Sequence, residues 1–83
     1  MPYFVYILQN ETGSFYVGQT NNLQDRLQRH NGNRVKATKG KGPWKIVHQE
    51  EFATRADAMR REKEIKARNS REYSLRLVRT SRA

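Results

Sequence analysis

The chain has no cysteine, no long apolar run and few acidic residues, and each absence excludes a class of protein or site. Without cysteine it forms no disulfides and no thiolate metal sites. No stretch is apolar for long enough to span a bilayer. We expect no signal peptide before the first predicted strand, and a cytoplasmic protein is the simplest expectation.

The shortage of acidic residues leaves a strong positive charge. Seventeen lysines and arginines face eight aspartates and glutamates, which gives a net charge of +9. So large an excess predicts a polyanionic partner, most often nucleic acid. An anionic membrane surface is the competing partner, but no segment combines the Trp, Phe and Leu of interfacial helices, so we expect no membrane. A charge that serves solubility alone is the remaining alternative.

The length of 83 residues predicts a single domain, residues 1–83, with a modest core. Hydrophobic periodicity and turn residues predict the order β-β-α-β-α-α. The predicted strands are 3–8, 14–17 and 44–52. The predicted helices are 21–30, a second from a capping box at 54–57 to 68, and 71–79. The fold class is α+β, with a small three-stranded, mostly antiparallel sheet flanked by helices.

Small polar residues predict where these elements end. Gly18 is predicted to end the second strand, and Thr20 or Asn21 to cap the first helix. Asn31-Gly32-Asn33 should stop that helix, because Gly and Asn suit the left-handed position after a helix end. Ser70 is the predicted cap of the third helix.

The first predicted helix carries polar residues on the face that should meet the core. Positions at helical spacing along this face are Leu23, Arg26, Leu27 and His30. Half of the stripe is therefore polar. For Arg26 alone, the simpler interpretation is that its stem covers the core while its head reaches water.

The second predicted helix repeats the anomaly with a carboxylate. Its stripe at the same spacing is Ala58, Met59, Glu62 and Ile65. Glu64 falls on the outer side with three basic residues, Arg60, Arg61 and Lys63. A half-buried Glu62 is costly unless it pairs with a basic residue, such as Arg26, or binds a cation.

An arginine, a histidine and a glutamate are predicted to point inward. In a protein expected to bind phosphates, these three residues could form a catalytic site. A carboxylate can hold Mg²⁺ or Mn²⁺, which need only one or two protein carboxylates. Arginine offers a planar fork to the growing charge of a phosphate. With a hydroxyl or imidazole base, these groups suffice to hydrolyse a phosphodiester.

Two short motifs resemble the signature of the GIY-YIG nuclease superfamily. The first is "FVY" at 4–6, in which Tyr6 matches the tyrosine of GIY. The second is "YVG" at 16–18, which matches YIG, and its Tyr16 lies ten positions after the first tyrosine. An arginine eight positions after the glycine of the second motif is also part of the family pattern, and here it is Arg26.

The resemblance continues to the second helix. His30 matches a His or Tyr found one turn after the arginine in some members. "RREKEIK" at 60–66 matches the helix that carries the metal-binding glutamate, Glu62. The match preserves order and spacing over nearly the whole chain. It is closest to the small stand-alone bacterial members, which consist of this domain and little else.

The resemblance implies a role for each site residue. Tyr6 is the expected general base or water-positioning group, and Tyr16 a hydrogen-bond donor to the phosphate. Arg26 is the expected electrostatic clamp, His30 an accessory proton carrier and Glu62 the ligand of Mg²⁺ or Mn²⁺. Because a phenol ordinarily titrates near 10, a basic Tyr6 needs the metal or Arg26 to lower its pKa.

Nucleic acid is expected to bind along the basic segment "RVKATKGKGP" at 34–43. The predicted contacts are Gly18 and Gln19 beside the second motif and, in this segment, Lys36, Lys39 and Lys41. Arginines of the last helix add to them. Phosphate contacts position a substrate without reading its sequence, so binding should be salt-sensitive and of low specificity.

The expected function is a metal-dependent endonuclease of low sequence specificity that acts on DNA in repair or recombination. Three positions depart from the family pattern: Phe4 for the first glycine of GIY, Gln19 for a common lysine, and Ser74 for an asparagine about twelve positions after the glutamate. Phe4 is compatible with a strand, whereas Gln19, Ser74 and the charge of +9 favour the alternative, a nucleic-acid-binding module that lacks cleavage. A subunit that depends on a protein partner for substrate recognition is a third hypothesis.

Overall fold

A three-stranded antiparallel sheet carries three helices, which confirms the predicted class. The computed structural model describes residues 2–68 and 71–82. The strands are β1 (Tyr3–Asn10), β2 (Phe15–Thr20) and β3 (Trp44–Phe52), in the spatial order β2-β1-β3. The helices are α1 (Leu23–Asn31), α2 (Arg55–Arg68) and α3 (Arg71–Arg82). No helix within the described residues is long and apolar enough to cross a membrane.

The central strand β1 is buried on both faces. Val5 packs with Ala58 and Ile65 of α2 on one face. Tyr6 and Leu8 lie in a second cluster on the other face, where the leucines of α1 also pack. Since successive side chains of a strand point to opposite faces, burial of both faces explains why "YFVYIL" is apolar almost throughout.

Both strands of the first hairpin are longer than predicted. β1 continues to Asn10, and β2 continues through Gly18 to Thr20. The prediction that Gly18 ends the second strand is wrong, because Gly18 is paired with Tyr6 in the sheet.

The N-cap of α1 differs from the prediction, whereas the predicted stop at Asn31-Gly32-Asn33 is confirmed. Asn22 is the N-cap, and its side chain accepts a hydrogen bond of 3.0 Å from the backbone N–H of Asp25. Thr20 instead accepts from the backbone N–H of Asn22 at 3.1 Å, so it supports the cap without being the cap. The left-handed residue after the helix is Asn33, with φ of 60°, whereas Gly32 has φ of −86°.

The segment after α2 is only partly described. α3 continues to Arg82, beyond the predicted end at residue 79. The predicted interruption at Asn69-Ser70 and the predicted cap at Ser70 lie outside the described residues.

The inward face of α2 differs from the predicted stripe at one position, where Arg61 replaces Met59. Thr54 accepts from the backbone N–H of Asp57 at 3.2 Å, which confirms the first half of the predicted capping box. Met59, however, is 47% exposed, so its place in the apolar stripe is wrong. The inward positions are Ala58, Arg61, Glu62 and Ile65.

Arg61 points inward because it forms an ion pair with Glu50 on β3. Its Nε donates to Glu50 Oε1 at 2.8 Å and its Nη2 to Oε2 at 3.1 Å. His48 Nε2 lies 2.7 Å from the same Oε2, and Arg61 Nη1 donates to the Tyr73 hydroxyl at 3.1 Å. This network ties α2, β3 and α3 together. Burial alone would raise the pKa of Glu50, but the hydrogen bonds from Arg61 and His48 outweigh it and lower that pKa.

Replacing Glu50 tests the network. We expect Glu50→Gln to lower the free energy of unfolding by about 1–2 kcal/mol at neutral pH, since Arg61 loses its charged acceptor. The folded-state pKa of Glu50 is depressed, so its contribution is present above the unfolded pKa and is lost as pH falls through the folded pKa. Urea titrations at several pH values should show the difference from wild type shrinking in acid.

The matched control is Glu51→Gln, an exposed carboxylate on the same strand. Its effect should be within about 0.5 kcal/mol at every pH. An equal loss from both variants would contradict a stabilising role for the Glu50 network.

Candidate active site

The ring of Tyr6 lies directly against the backbone of β2. Tyr6 on β1 is paired with Gly18 on β2. A Cβ atom built at Gly18 would lie 2.5 Å from the Tyr6 hydroxyl oxygen and 2.7 Å from its Cζ. Any side chain at this position would displace the ring, which is the physical reason for the glycine of "YVG". Gly18 is buried, so the structure places it beneath Tyr6 and not at the surface predicted for a nucleic-acid contact.

Tyr6 is hydrogen-bonded to His30 in the interior. The Tyr6 hydroxyl lies 3.0 Å from His30 Nε2, and His30 is fully buried. On the other side of the imidazole, Nδ1 lies 2.8 Å from the hydroxyl oxygen of Thr38. Thr38 is also buried, and its hydroxyl donates to the carbonyl of Val35 at 3.4 Å. The prediction that His30 points inward from α1 is confirmed.

These contacts favour one tautomer of His30. We assign the hydroxyl hydrogen of Thr38 to its contact with the Val35 carbonyl, so that the Thr38 oxygen accepts from His30 Nδ1–H. Burial lowers the pKa of His30, and the nearby charge of Arg26 lowers it further, so the ring is neutral. Nε2 is then an acceptor, and the Tyr6 hydroxyl donates to it.

Long-range contacts hold Thr38 in place. It ends a single 3₁₀ turn, Lys36–Thr38, within the basic segment 34–43. The indole N–H of Trp44 donates to the Thr38 carbonyl at 3.4 Å. The side chain of Asn31 accepts from the Trp44 N–H at 2.6 Å and donates to its carbonyl at 3.2 Å. The segment is therefore fastened to the end of α1 and the start of β3.

Tyr16 completes an aromatic cluster with Tyr6 and His30. Its ring centroid is 4.8 Å from that of His30 and 6.5 Å from that of Tyr6. Tyr16 also lines two clefts. One, of about 500 Å³, includes Lys66, Arg71 and Ser74. The other, of about 440 Å³, includes Thr38 and Lys41.

The electrostatics of the cluster keep Tyr6 protonated. Burial raises the pKa of its phenol well above the usual value, and the charges of Tyr16 and Glu62 act in the same direction. Arg26 lowers this pKa, as expected, but its effect is outweighed. At neutral pH Tyr6 is therefore a proton donor to His30, and it becomes basic only as its own proton leaves.

Comparison with known proteins places this geometry in a family. A sequence model of the GIY-YIG catalytic domain matches residues 2–74. The chain belongs to the GIY-YIG family. The UPF0213 protein of Staphylococcus haemolyticus is 40% identical over 77 residues, which are 92% of this chain and 93% of that protein. The UPF0213 protein of Oceanobacillus iheyensis is 42% identical over 65 residues, or 77% and 76% of the two chains.

A solved structure extends the GIY-YIG comparison to the fold. The solution NMR structure of the UPF0213 protein from Bacillus halodurans is 36% identical, with a TM-score of 0.60. The match covers 96% of this chain and 85% of that one. The GIY-YIG domain thus fills most of this chain and of its UPF0213 relatives, whose names state no activity.

The glutamate of the GIY-YIG pattern lies on the helix that packs against the opposite face of the sheet. The Glu62 side chain is 20% exposed, and its Oε2 accepts from Lys66 Nζ at 2.7 Å. Arg26 is therefore not its ion-pair partner, contrary to one sequence-based alternative. Glu62 nevertheless acts on the pKa of Tyr6. Lys66, the ion-pair partner of Glu62, lines the same cleft as Tyr16.

The donor set at Glu62 suits a weakly chelated hard cation. Within residues 2–68 and 71–82, no three His, Asp or Glu side chains form a metal-binding group. Mg²⁺ and Mn²⁺ retain several waters and commonly bind one or two carboxylates together with substrate phosphate. One carboxylate that already attracts the ammonium of Lys66 fits such a shared site.

The remaining predicted contacts are spread around the cluster. Gln19 lines a small cleft with Arg26, whereas Lys41 borders the cleft beside Tyr16. Lys36 and Lys39 are exposed on the basic segment. The five predicted catalytic residues thus divide into a directly bonded or stacked group (Tyr6, Tyr16 and His30) and two flanking charges, Arg26 and Glu62.

Sequence reasoning missed Thr38 and Lys66. Thr38 lies in a basic, glycine-containing segment without periodicity, and nothing local signals its burial. Lys66 follows Glu62 by four positions, a spacing that brings side chains together on a helix and that was available from the sequence.

Replacement of Thr38 tests the assigned tautomer. In Thr38→Val the Nδ1–H of His30 loses its acceptor, so we expect the ring to shift toward the Nε2–H tautomer. Stability should fall by about 1–3 kcal/mol, because Nδ1 would be buried without a hydrogen-bond partner in either tautomer. Long-range ¹H–¹⁵N NMR of the imidazole reports the tautomer, and thermal melts report the stability.

Thr38→Ser is the control, because it keeps the hydroxyl. It should preserve the Nδ1–H tautomer. Identical imidazole spectra for the wild type and Thr38→Val would show that Thr38 does not set the state of His30.

Proposed function

We propose that the protein is a metal-dependent endonuclease that hydrolyses phosphodiester bonds with low sequence specificity. DNA is the favoured substrate, in cytoplasmic repair or recombination. The observation that carries the proposal is the buried chain from Tyr6 through His30 to Thr38, which gives a phenol a neutral imidazole as its proton acceptor.

The proposed chemistry is a proton relay from the attacking water. As the water oxygen bonds to phosphorus, its proton passes to the Tyr6 oxygen, and the phenolic proton passes to His30 Nε2. The imidazolium that forms keeps its Nδ1–H on Thr38. Cleavage of the opposite P–O bond releases an alkoxide, which takes a proton from solvent. The relay avoids a free tyrosinate, which the raised pKa of Tyr6 makes costly.

The flanking charges would stabilise the phosphate as its charge grows. Arg26 offers a planar pair of donors, and Tyr16 offers a hydroxyl at the mouth of two clefts. Glu62 would hold the divalent ion, which would neutralise charge on the phosphate. Lys66 would then be released from Glu62 toward the cleft that it already lines.

The weak sequence specificity follows from the kind of contact available. The basic segment exposes Lys36, Lys39 and Lys41. Such ammonium groups attract phosphates and do not distinguish bases. Selection among substrates would depend on strand geometry or on a protein partner that supplies recognition.

A second candidate is a nucleic-acid-binding module without cleavage. Ser74 favours it, because this buried residue lines the cleft shared by Tyr16 and Lys66, where active members of the family often have an asparagine. The serine hydroxyl is shorter than the amide side chain of that asparagine. In this candidate the same charged clefts bind nucleic acid while its phosphodiester bonds stay intact.

Cleavage at low salt with Mg²⁺ or Mn²⁺ separates the two candidates. We expect nicking of supercoiled plasmid or cutting of single-stranded or flapped DNA by the wild type, and a loss of at least about 100-fold in Glu62→Gln. Glu64→Gln is the matched control, since this carboxylate on the same helix is half exposed and faces outward. Binding without cleavage, or equal cleavage by Glu62→Gln, would contradict the endonuclease proposal.

The pH dependence tests the role of His30. The relay requires neutral His30, whose pKa is lowered from 6.5. Activity should therefore be level just above pH 6.5 and decline as the pH falls through the folded-state pKa. An acidic limb with the same midpoint as the NMR titration of His30 is the expected result. Activity that is maximal with His30 protonated would exclude it as the acceptor.

A further inference from the structure

A small polar cleft lies beside Arg26. Its volume is about 100 Å³, and it is lined by Tyr3, Gln19, Thr20, Asn21, Arg26 and Arg55. The residues come from the start of β1, the end of β2, the first part of α1 and the first turn of α2. The cleft is too small for a nucleotide and of a size for a single phosphate group.

Two guanidinium groups meet at this cleft without a counter-ion. No carboxylate is among its lining residues. In the part of the chain that the structure describes, neither Arg26 nor Arg55 has a carboxylate within ion-pair distance. By contrast, Arg29 and Arg60 each pair with one carboxylate, and Arg61 pairs with two. Two like charges beside one cavity repel, and a bound anion would relieve the repulsion.

Arg26 is a candidate catalytic residue that also lines this cleft. It precedes His30 by one turn on α1. Gln19 follows Gly18, the strand partner of Tyr6, so the cleft adjoins the buried cluster. Arg55 lines the cleft from α2. A strand that places one phosphate at the cluster would therefore bring a neighbouring phosphate toward Arg55.

We propose that the cleft between Arg26 and Arg55 binds a backbone phosphate of the nucleic acid, adjacent to the phosphate at the catalytic cluster. The phosphate at the catalytic cluster rests on the proposed function. Binding of the neighbouring phosphate at the cleft does not require cleavage. Arg55 supplies a bidentate contact, and Gln19 and Asn21 flank the phosphate with amide groups. The site selects a continuous strand, since a single terminal phosphate would fill only one of the two positions.

The experiment compares Arg55→Gln with Arg60→Gln. Both remove one positive charge from the exposed side of α2, but Arg60 does not line the cleft and pairs with Asp57 at 3.3 Å. The affinity of each protein for a short fluorescein-labelled single-stranded DNA is measured by anisotropy between about 50 and 200 mM salt, with EDTA to prevent cleavage. Thermal melts verify that both variants are folded.

We expect Arg55→Gln to reduce the slope of log affinity against log salt by about 0.7–1, the release of counter-ions from one phosphate. The corresponding loss of affinity is about tenfold at 50 mM salt and about fourfold at 200 mM. Arg60→Gln should keep the wild-type slope. In ¹H–¹⁵N spectra, the Nε–H signals of Arg26 and Arg55 should shift when the DNA is added, and that of Arg60 should not.

Equal salt dependence in the two arginine variants would overturn the phosphate site, whether or not the protein cleaves DNA. Failure of the wild type to bind at the lowest salt would overturn it too. Binding that depends on Arg55 without any cleavage would support the site and count against the endonuclease proposal alone. The two proposals therefore fail separately.

Discussion

The buried hydrogen bond between the Tyr6 hydroxyl and His30 Nε2 is the contact on which the site depends. It joins the central strand to α1 and, through Thr38, to the basic segment. Each partner is buried, so loss of the bond would leave polar groups without solvent or partner. The sheet, the helix and the segment are therefore fixed relative to one another at the point where the proposed proton transfer occurs.

The two sides of the sheet contribute different chemistry. The aromatic cluster lies on the face covered by α1, whereas Glu62 belongs to α2 on the other face. The edge strand β2 is the divider, and Tyr16 on β2 lines the cleft that also contains Lys66. Under the proposed function, a phosphate contacts both sides only at this edge. An open edge of the sheet lets one phosphate contact residues of both faces, which a deep pocket on one face would not.

The fold was predictable from sequence to a greater depth than the site. The order of elements and the fold class follow from alternation and turn residues, and they are confirmed. The placement of Met59 is wrong because Arg61 is the residue that points inward, and its partner, Glu50, lies on a strand far away in the chain. The residues around Met59 do not indicate that Arg61 has such a partner.

The site residues show the same division. Spacing alone left Tyr6 and Tyr16 as strand aromatics, and only the family resemblance gave them functions. The inward turn of His30 was visible in the helical pattern of α1. Thr38 was not visible, because its burial depends on Asn31 and Trp44, which fasten an otherwise polar segment.

Burial of β1 on both faces has a consequence for how the site is lost. A strand in the middle of a small sheet opens only when the whole domain unfolds, so the position of Tyr6 shares the global stability. The 3₁₀ turn that ends at Thr38 lies outside the sheet and exposes Lys36 and Ala37, so its hydrogen bonds to His30 and Trp44 can open while the sheet stays folded. Such an opening would leave His30 Nδ1 to water while the ring of Tyr6 stays in place. The position of Tyr6 is thus governed by global unfolding. The hydrogen bond between Thr38 and His30 is governed by local opening of the turn.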